Sequence, residues 1–488
     1  MTKGPDQEVG FVAPVGLAFP PMSVVGTPLN APPLISPATH AAAVADLLRR
    51  FRELPAGTRM RLGKKSSNLF RFGGREQITE RLDTSELTGV ISVDPVGLTA
   101  EVQGMTTYED LVAATLPYGF MPLVVPQLKT ITLGGAVTGL GIESTSFRHG
   151  LPHESVREMD ILTADGDVIT VTPDGEYADL FHGFPNSYGT LGYALRIVID
   201  VAPVRPYVRL EHHRVDTADL QKQIVSSCDL DAVDAPDFVD ASVLSDGEQY
   251  LTLGWFTDEP GPTGPSDYTG QKIFWRSIDR LPSDVLTVHD YIWRWDTDWF
   301  WCSRALGVQN PVVRLFWPRR YRRSDVYRRL VSLDRRYRLS GRVRGLFGKP
   351  QEELVVQDVE IPVERLAEFL EAFHRDIGIA PFWLCPLRLR GQTTWPLYPM
   401  KADELYVNVG FWSSVAEVPG QPDAHNRRIE ELVAELGGHK SLYSTVHYDE
   451  REFWEHYNGP AYRALKGRYD PHGRLPDLYT KVTGSGRA

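Results

Sequence analysis

Pro126–Gly150 reads PQLKTITLGGAVTGLGIESTSFRHG, and the interpretation of the whole chain turns on it. Glycines stand at 134, 135, 139, 141 and 150. Residues this small let backbone N–H groups approach a ligand closely and point at phosphate oxygens. The segment is not a Rossmann fingerprint, because no G-x-G-x-x-G follows a strand with an acid about twenty residues on. Nor is it a Walker loop, since no Gly-Lys-Ser/Thr follows the glycines. Taken alone, it is explained equally well as a glycine-rich structural turn.

The flanking segments change those odds. Arg61–Leu69, RLGKKSSNL, is a short polar loop between strand-like stretches. Gly63, Ser66, Ser67 and Asn68 offer N–H and hydroxyl donors to a pyrophosphate, and Lys64 and Lys65 add charge. Short β-rich runs follow at Gly89–Asp94, Thr99–Val102, Asp160–Thr163, Val168–Thr172 and Ala194–Val201, with a helix at Thr107–Leu116. Asp179-Leu-Phe and then Asn186-Ser-Tyr-Gly-Thr-Leu-Gly192 precede the last of these strands.

The full chain has 488 residues, 42% hydrophobic and 24% charged, which suits a large core spread over roughly two or three domains. It holds no run of about eighteen apolar residues for a spanning helix. A formal charge of −11 argues against bulk nucleic-acid binding. Cys228, Cys302 and Cys385 are far apart and form no CxxC pair, which argues against a disulfide framework and against a zinc site. Cys302 and Cys385 read as small buried hydrophobes. This cysteine usage suits a reducing, cytoplasmic setting. Residues 1–35 form a Pro-rich segment with Asp6 and Glu8 early, unlike a signal peptide.

Further elements are legible. Thr39 is an N-cap candidate for a helix over His40–Leu54. Pro203–Pro206 reads as a boundary. Beyond it, Val239–Phe256, Leu354–Ile361 and Tyr406–Trp412 read as strands. Val363–Ile377 reads as an amphipathic helix with Val363, Leu366, Phe369, Leu370 and Phe373 on one face. Asn426–Leu436 and Glu450–Tyr469 also read as helical.

Arg314–Arg344 carries twelve Arg against two Asp, a net of +10 that leaves −21 for the remainder of the chain. Just before it lie Trp293, Trp295, Trp299 and Trp301, and Trp317 opens the run itself. Trp beside Arg is the composition of a membrane-interface patch, with rings at headgroup level and guanidinium groups on lipid phosphate. The competing interpretation is a solvated helix face plus buried tryptophans.

The order of loops and strands from Arg61 to Val201 resembles the vanillyl-alcohol-oxidase type of FAD-binding domain. The resemblance implies an α+β fold: a two-subdomain FAD-binding domain over about 36–206, then a cap domain with an antiparallel sheet over 207–440. It also implies that 441–488 returns to the FAD domain. FAD would be held along Arg61, Gly63, Lys64, Ser66, Ser67, Asn68 and Leu69. Further contacts would come from Gln127, Thr130, Ile131, Thr132, Leu133, Gly134, Gly135, Thr138 and Gly141. Ser144, Ser146, His149, Gly150, Gly189, Thr190, Gly192 and Ile197 complete the implied set. Many covalent relatives carry a His in the first loop; Arg61–Leu69 has none, so the implied FAD is noncovalent, with His149 a neighbour of it.

The match extends further. Gly141-Ile-Glu-Ser144, Val355-Val-Gln-Asp358, Trp383-Leu-Cys-Pro386, Glu404-Leu-Tyr406, Glu452-Phe-Trp454 and Leu475-Pro-x-x-Tyr479 resemble the sterol side-chain (delta24) reductases. His289–Arg304, Pro318–Ser324 and Gly438-His-Lys-Ser-Leu-Tyr443 are similar to bacterial flavoproteins that reduce methylene-branched fatty acyl chains, as in tuberculostearic acid synthesis. That resemblance implies NADPH as cosubstrate and a phospholipid-bound methylene acyl substrate. It also implies a methyltransferase that makes the methylene group, and a location at the inner face of the cell membrane, reached through Arg314–Arg344.

Both groups reduce an alkene that no carbonyl polarises. A proton must therefore arrive first, and hydride then quenches the tertiary cation-like centre. Such a site needs an acid in an apolar pocket beside aromatic faces. The nominees are His289, Tyr291, Asp296 and Asp298 of the Trp-rich segment, Arg294 as an orienting group, and Glu143 of the glycine-rich loop. Asp290, Tyr443 and His447 are further choices, and each of these residues is also readable as an ordinary hydrogen-bonded structural group. The competing functions are a sterol-type alkene reductase, a flavin oxidase of an alcohol or hydroxy acid, and a flavin-bearing lipid-binding escort of the methyltransferase.

Overall fold

The computed structural model describes residues 32–55, 57–64, 69–71, 80–337 and 351–484. Ser66, Ser67 and Asn68 of the first loop, Arg338, Arg342 and Arg344 of the basic run, and the tail before residue 32 lie outside the described residues. The chain is α+β, built on antiparallel sheets.

Helix α1 (Pro37–Arg52) opens the described chain, and its cap differs from the expectation at Thr39. The Ser36 side chain accepts from the Thr39 N–H, and Pro37 takes the first helical position, where a missing N–H costs nothing. A short parallel pair follows, β1 (Met60–Gly63) with β2 (Glu80–Asp83). The six-stranded sheet comprises β3 (Val90–Asp94), β4 (Thr99–Gln103), β5 (Phe120–Pro122), β6 (Val156–Leu162), β7 (Val168–Val171) and β8 (Tyr193–Pro203). Its order is β3-β4-β8-β6-β7, with β5 also on β8. Helix α2 (Tyr108–Thr115) is capped by Thr107, and the short helix α3 (Leu133–Gly139) by Thr132.

Crowding explains the glycines where β4 ends against the start of β8. A Cβ on Gly104 would stand 1.9 Å from the Ala194 carbonyl oxygen, and one on Gly134 would stand 2.6 Å from the Gly104 carbonyl oxygen. Backbone is thereby stacked on backbone, and the N–H of Gly134 donates to Gly104 at 2.8 Å.

The eight-stranded sheet comprises β9 (Tyr207–Val215), β10 (Phe238–Ser245), β11 (Glu248–Thr257), β12 (Ser283–Thr287), β13 (Glu352–Pro362), β14 (Phe382–Leu387), β15 (Tyr406–Ala416) and β16 (His439–Lys440). Its order is β12-β9-β11-β10-β14-β15-β13-β16, antiparallel throughout. The run read as one strand at Val239–Phe256 is the hairpin β10–β11, turned at Asp246-Gly247 with Gly247 at φ +71°.

Side chains alternate across this sheet. Leu384, Val409, Val359 and Ile361 share the apolar face, which the helices Leu366–Asp376 and Ala424–Glu435 cover. The five apolar residues expected on one face of the first of these helices are all buried, with Val363 in a lead-in turn. On the opposite face, Ser242, Trp383, Gly410 and Asp358 are register partners across four strands. That face looks toward the glycine-rich loops.

The Trp-rich segment departs from the membrane-patch expectation. Trp293, Trp295, Trp299 and Trp301 are all buried. Aromatic side chains bring large apolar areas, and here they form a second layer on the sheet. Phe300 stacks between Trp295 and Trp412, at ring separations of 4.7 and 4.4 Å. The C-terminal segment runs beside the first loops: the Phe70 N–H donates to the Tyr443 carbonyl at 2.9 Å, and Lys481 Nζ donates to the Tyr188 carbonyl at 2.6 Å.

Candidate active site

Between the glycine-rich loops and the polar face of the large sheet lies a cavity of about 620 Å³, the size range of a cofactor pocket. Of the residues expected to hold FAD, the cavity is lined by Arg61, Gly63, Lys64, Leu69, Gln127, Ile131, Thr132, Gly134, Gly135, Thr138, Gly141, Gly189 and Gly192. The Gln127 side chain braces the loop by donating to the Ile142 carbonyl at 2.9 Å.

The remaining expected contacts lie off the cavity wall. Leu133 and Ile197 are core residues, and Thr190 turns inward to donate to the Ser187 carbonyl at 2.8 Å. Ser146 accepts from the Glu143 N–H at 3.1 Å, and Ser144 belongs to a buried ionic cluster described below. Gly150, at φ +71°, lies against the Glu154 carboxyl, where a Cβ would stand 2.1 Å from Oε1. Thr130 is not among the lining residues either. His149 ends the short helix Ser146–His149 away from the cavity, and burial pushes its imidazole down to about 4.

One end of the cavity is cationic. Lys64 lines the cavity, where desolvation together with the nearby Arg328 charge lowers its ammonium to about 8. No carboxylate partner offsets it among the described residues. Its Nζ lies 3.6 Å from where a Gly135 Cβ would be, so ammonium and glycine backbone converge on one point. Arg71 also lines the cavity, on the Tyr443 side: it is half-buried, stacked on the Tyr188 ring at 4.5 Å, donates to the Leu442 carbonyl at 3.0 Å, and is lowered by burial to about 10. A cation without a carboxylate partner among the described residues, converging with the backbone at Gly135, fits a pyrophosphate. These residues therefore suit the diphosphate of FAD, and the glycine-lined stretch suits its flat ring system.

The other end is aromatic and acidic. Phe300, Trp383, Trp412, Tyr443 and Asp358 line it. The Asp358 carboxyl is pushed up to about 7 by burial, while Asn408, Tyr443 and Lys440 pull it back in part. Glu360, on the same strand face, is pushed up to about 8 by burial, and its carboxylate accepts from Ser441 Oγ at 2.9 Å. A carboxyl that keeps its proton near neutral pH among tryptophans is equipped to be a general acid.

The acids nominated from the Trp-rich segment stand elsewhere. None of His289, Tyr291, Arg294, Asp296, Asp298 or Glu143 lines the cavity. Arg294 bridges Glu143 at 2.9 Å and Asp240 at 2.7 Å and lies over the Tyr291 ring at 4.0 Å, while Tyr291 Oη and Ser144 Oγ share a hydrogen bond at 2.9 Å. This is a closed internal ion cluster that locks the glycine-rich loop to the large sheet. Asp298 is clamped by Arg314 at 2.7 and 3.0 Å. Asp296 accepts from the Lys129 N–H at 3.0 Å and from Ser324 Oγ at 2.5 Å. His289 pairs with the adjacent Asp290 at 3.3 Å. His447, the other outlying choice, donates its N–H to Glu430 at 2.9 Å and is absent from the wall.

The cavity also uses residues that the sequence did not single out as contacts. Arg71, Arg81, Met105, Tyr188, Tyr193 and Ala194 complete the FAD-side wall, and Pro476 and Thr480–Gly484 close it from the C-terminal segment. For Asp358 the available signal was strand alternation. In β13 the apolar Val355, Val359 and Ile361 face one way, leaving Asp358 and Glu360 as acids on the other face of a buried strand.

The comparisons with known proteins agree with this geometry. Residues 32–172 match the model of the FAD binding domain family. The chain is 24% identical over 466 residues to the human Delta(24)-sterol reductase, covering 93% of this chain and 88% of that protein. It is 24% identical over 437 residues to the Caenorhabditis elegans Delta(24)-sterol reductase homolog, covering 86% and 82%. It is 25% identical over 444 residues to the Arabidopsis thaliana Delta(24)-sterol reductase, covering 82% and 76%. A matched FAD-binding domain at the cavity's cationic end, and similarity to these reductases over most of the chain, make this protein an FAD-dependent oxidoreductase.

Proposed function

We propose that the protein reduces an isolated carbon–carbon double bond, and that its substrate is a methylene group on a phospholipid-bound acyl chain. One observation carries the reading: a protonated-prone carboxyl, Asp358, lines the same cavity as the glycine-rich loops, between Trp383, Trp412 and Tyr443. FAD held by the glycine-rich loops would, once reduced by NADPH, supply hydride chemistry at this end. Asp358 gives its proton to the terminal methylene carbon, and the π electron pair becomes the new C–H bond. Positive charge then falls on the branched carbon, where the faces of Trp383 and Trp412 stabilise it. A hydride delivered there would complete the second C–H bond, and Asp358 would recover its proton from solvent. Substrate filling this end of the cavity would displace water from it, keeping the carboxyl neutral and the cation from being hydrated.

Similarity to the Delta(24)-sterol reductases supports reduction of an alkene and leaves a sterol side chain as the second substrate reading. Product analysis separates them. Incubated with NADPH, the protein should convert a methylene-bearing phospholipid to one heavier by a hydrogen pair and leave a side-chain-unsaturated sterol unchanged. Sterol turnover with an untouched phospholipid would replace the acyl reading with the sterol one.

A further inference from the structure

The apolar surface that tryptophan burial removes from the outside reappears nearby. Helix Pro311–Phe316, capped by Asn310, exposes Phe316 at 79%, Leu315 at 67% and Val312 at 65%. Tyr321 beyond it, and Leu333 on the helix Ser324–Tyr337, are exposed as well.

This projection is held rigidly. Arg314, between the exposed residues, points inward and is buried on Asp298 and on the Gly270 carbonyl at 2.8 Å. Arg322 is also buried and donates to the carbonyls of Thr269, Gly270 and Trp317. Two buried guanidinium groups thus bolt the segment to the body from within, and their neighbours have nowhere to turn but outward. Phe300 of the cavity wall precedes this segment in the chain, with the turn Cys302–Leu306 between them.

The rim is cationic. Arg319 and Arg320 are exposed beside Tyr321, and Arg320 has no carboxylate partner among the described residues. The basic run lies in a chain otherwise at −21. An anionic surface therefore repels the acidic remainder and meets here the exposed guanidinium groups of Arg320 and of Arg319, which also pairs with Asp267 at 3.3 Å, and this biases the docking orientation. Exposed guanidinium groups beside protruding aliphatic and phenyl side chains complement lipid phosphate above and acyl chains below. A purely acidic protein partner would leave Phe316 and Leu315 unmatched.

We infer that the face built from Val312, Leu315, Phe316, Arg319, Arg320 and Tyr321 docks on an anionic phospholipid bilayer, with Leu315 and Phe316 entering the acyl boundary. The inference goes beyond the proposed reaction and needs no turnover to test.

The test is sedimentation of the full-length holoprotein with vesicles of phosphatidylglycerol and phosphatidylcholine, or of phosphatidylcholine alone. Wild type should sediment with the anionic vesicles and far less with the neutral ones. Leu315→Ser/Phe316→Ser and, separately, Arg319→Glu/Arg320→Glu should each lower partitioning about tenfold or more, with melting temperature and flavin spectrum unchanged. Failure of wild type to bind, or undiminished sedimentation of the Ser variant, overturns the inference. So does a dimer that the Ser variant converts to monomer while vesicle binding persists, since the face would then join two copies of the chain.

Discussion

Asp358 and Gly410 are register partners on adjacent strands, and a Cβ on Gly410 would stand 2.4 Å from Asp358 Oδ1. The glycine makes room for the carboxyl inside a buried sheet and leaves it flanked by Trp383, which pairs with the same Gly410 from the other side. Gly410→Ala should therefore displace the carboxyl without touching the cationic end. The expected result is normal FAD content with turnover reduced at least tenfold, read by flavin absorbance and steady-state rate on one preparation.

Asp358→Asn removes the proton donor and keeps the shape. Loss of a general acid costs about 10²–10⁴-fold in rate. FAD content and the visible spectrum should stay as in wild type. A variant that binds FAD and retains more than a tenth of the rate would assign the proton to another group.

The pH profile follows from the raised carboxyl. Asp358 at about 7 is protonated below that value, so the rate should be level at lower pH and fall as pH rises through 7. Stability has the same sign. A folded-state value above the unfolded one means that the native state binds the extra proton, so its contribution is full near pH 4 and is lost as pH rises through about 7. Asp358→Asn should thus raise the melting temperature at pH 8 and barely alter it at pH 4, by calorimetry.

This pairing shows where sequence reading succeeds and where it stops. Gly134, Gly135 and Gly141 were legible because their spacing in one loop is local; at Gly134 close backbone approach requires glycine, and at Gly135 and Gly141 the Thr132 and Pro126 side chains fill the space a Cβ would need. The strand Leu354–Ile361 was legible from its alternation. Asp358, Trp383, Trp412 and Tyr443 meet only because sheet order places β13, β14 and β15 side by side, and no local pattern carries that order. Trp293–Trp301 misled because Trp beside Arg and Asp describes a wet interface and an internal ion cluster equally well. The deciding fact was that Arg294 and Arg314 find buried carboxylates in Glu143, Asp240 and Asp298.

Lys64 should report on the cofactor. Lys64→Met removes a charge-assisted contact worth about 1.5–3 kcal/mol, so the FAD dissociation constant should rise roughly 10–100-fold. Because desolvation lowers the free lysine to about 8, a bound diphosphate that favours its charged form should make affinity fall as pH rises past 8. Fluorescence titration at several pH values checks both, and the pH effect should vanish in the variant.

Arg294 is assigned to structure. Arg294→Met leaves Glu143 and Asp240 buried without their cation, which costs about 3–5 kcal/mol. Urea unfolding should show the loss. Protein that remains folded at low temperature should keep FAD and react at a rate near wild type, because the residue does not reach the cavity.

The most direct measurement is anaerobic. The protein is reduced with one equivalent of NADPH in D₂O and then mixed with a methylene-bearing phospholipid, following the visible flavin band and the acyl product. The account predicts that colour returns without air and that one deuterium lies in the new methyl group, with Asp358→Asn remaining bleached. Colour that returns only on admission of air, or an Asp358→Asn variant that recovers as fast as wild type, would contradict it.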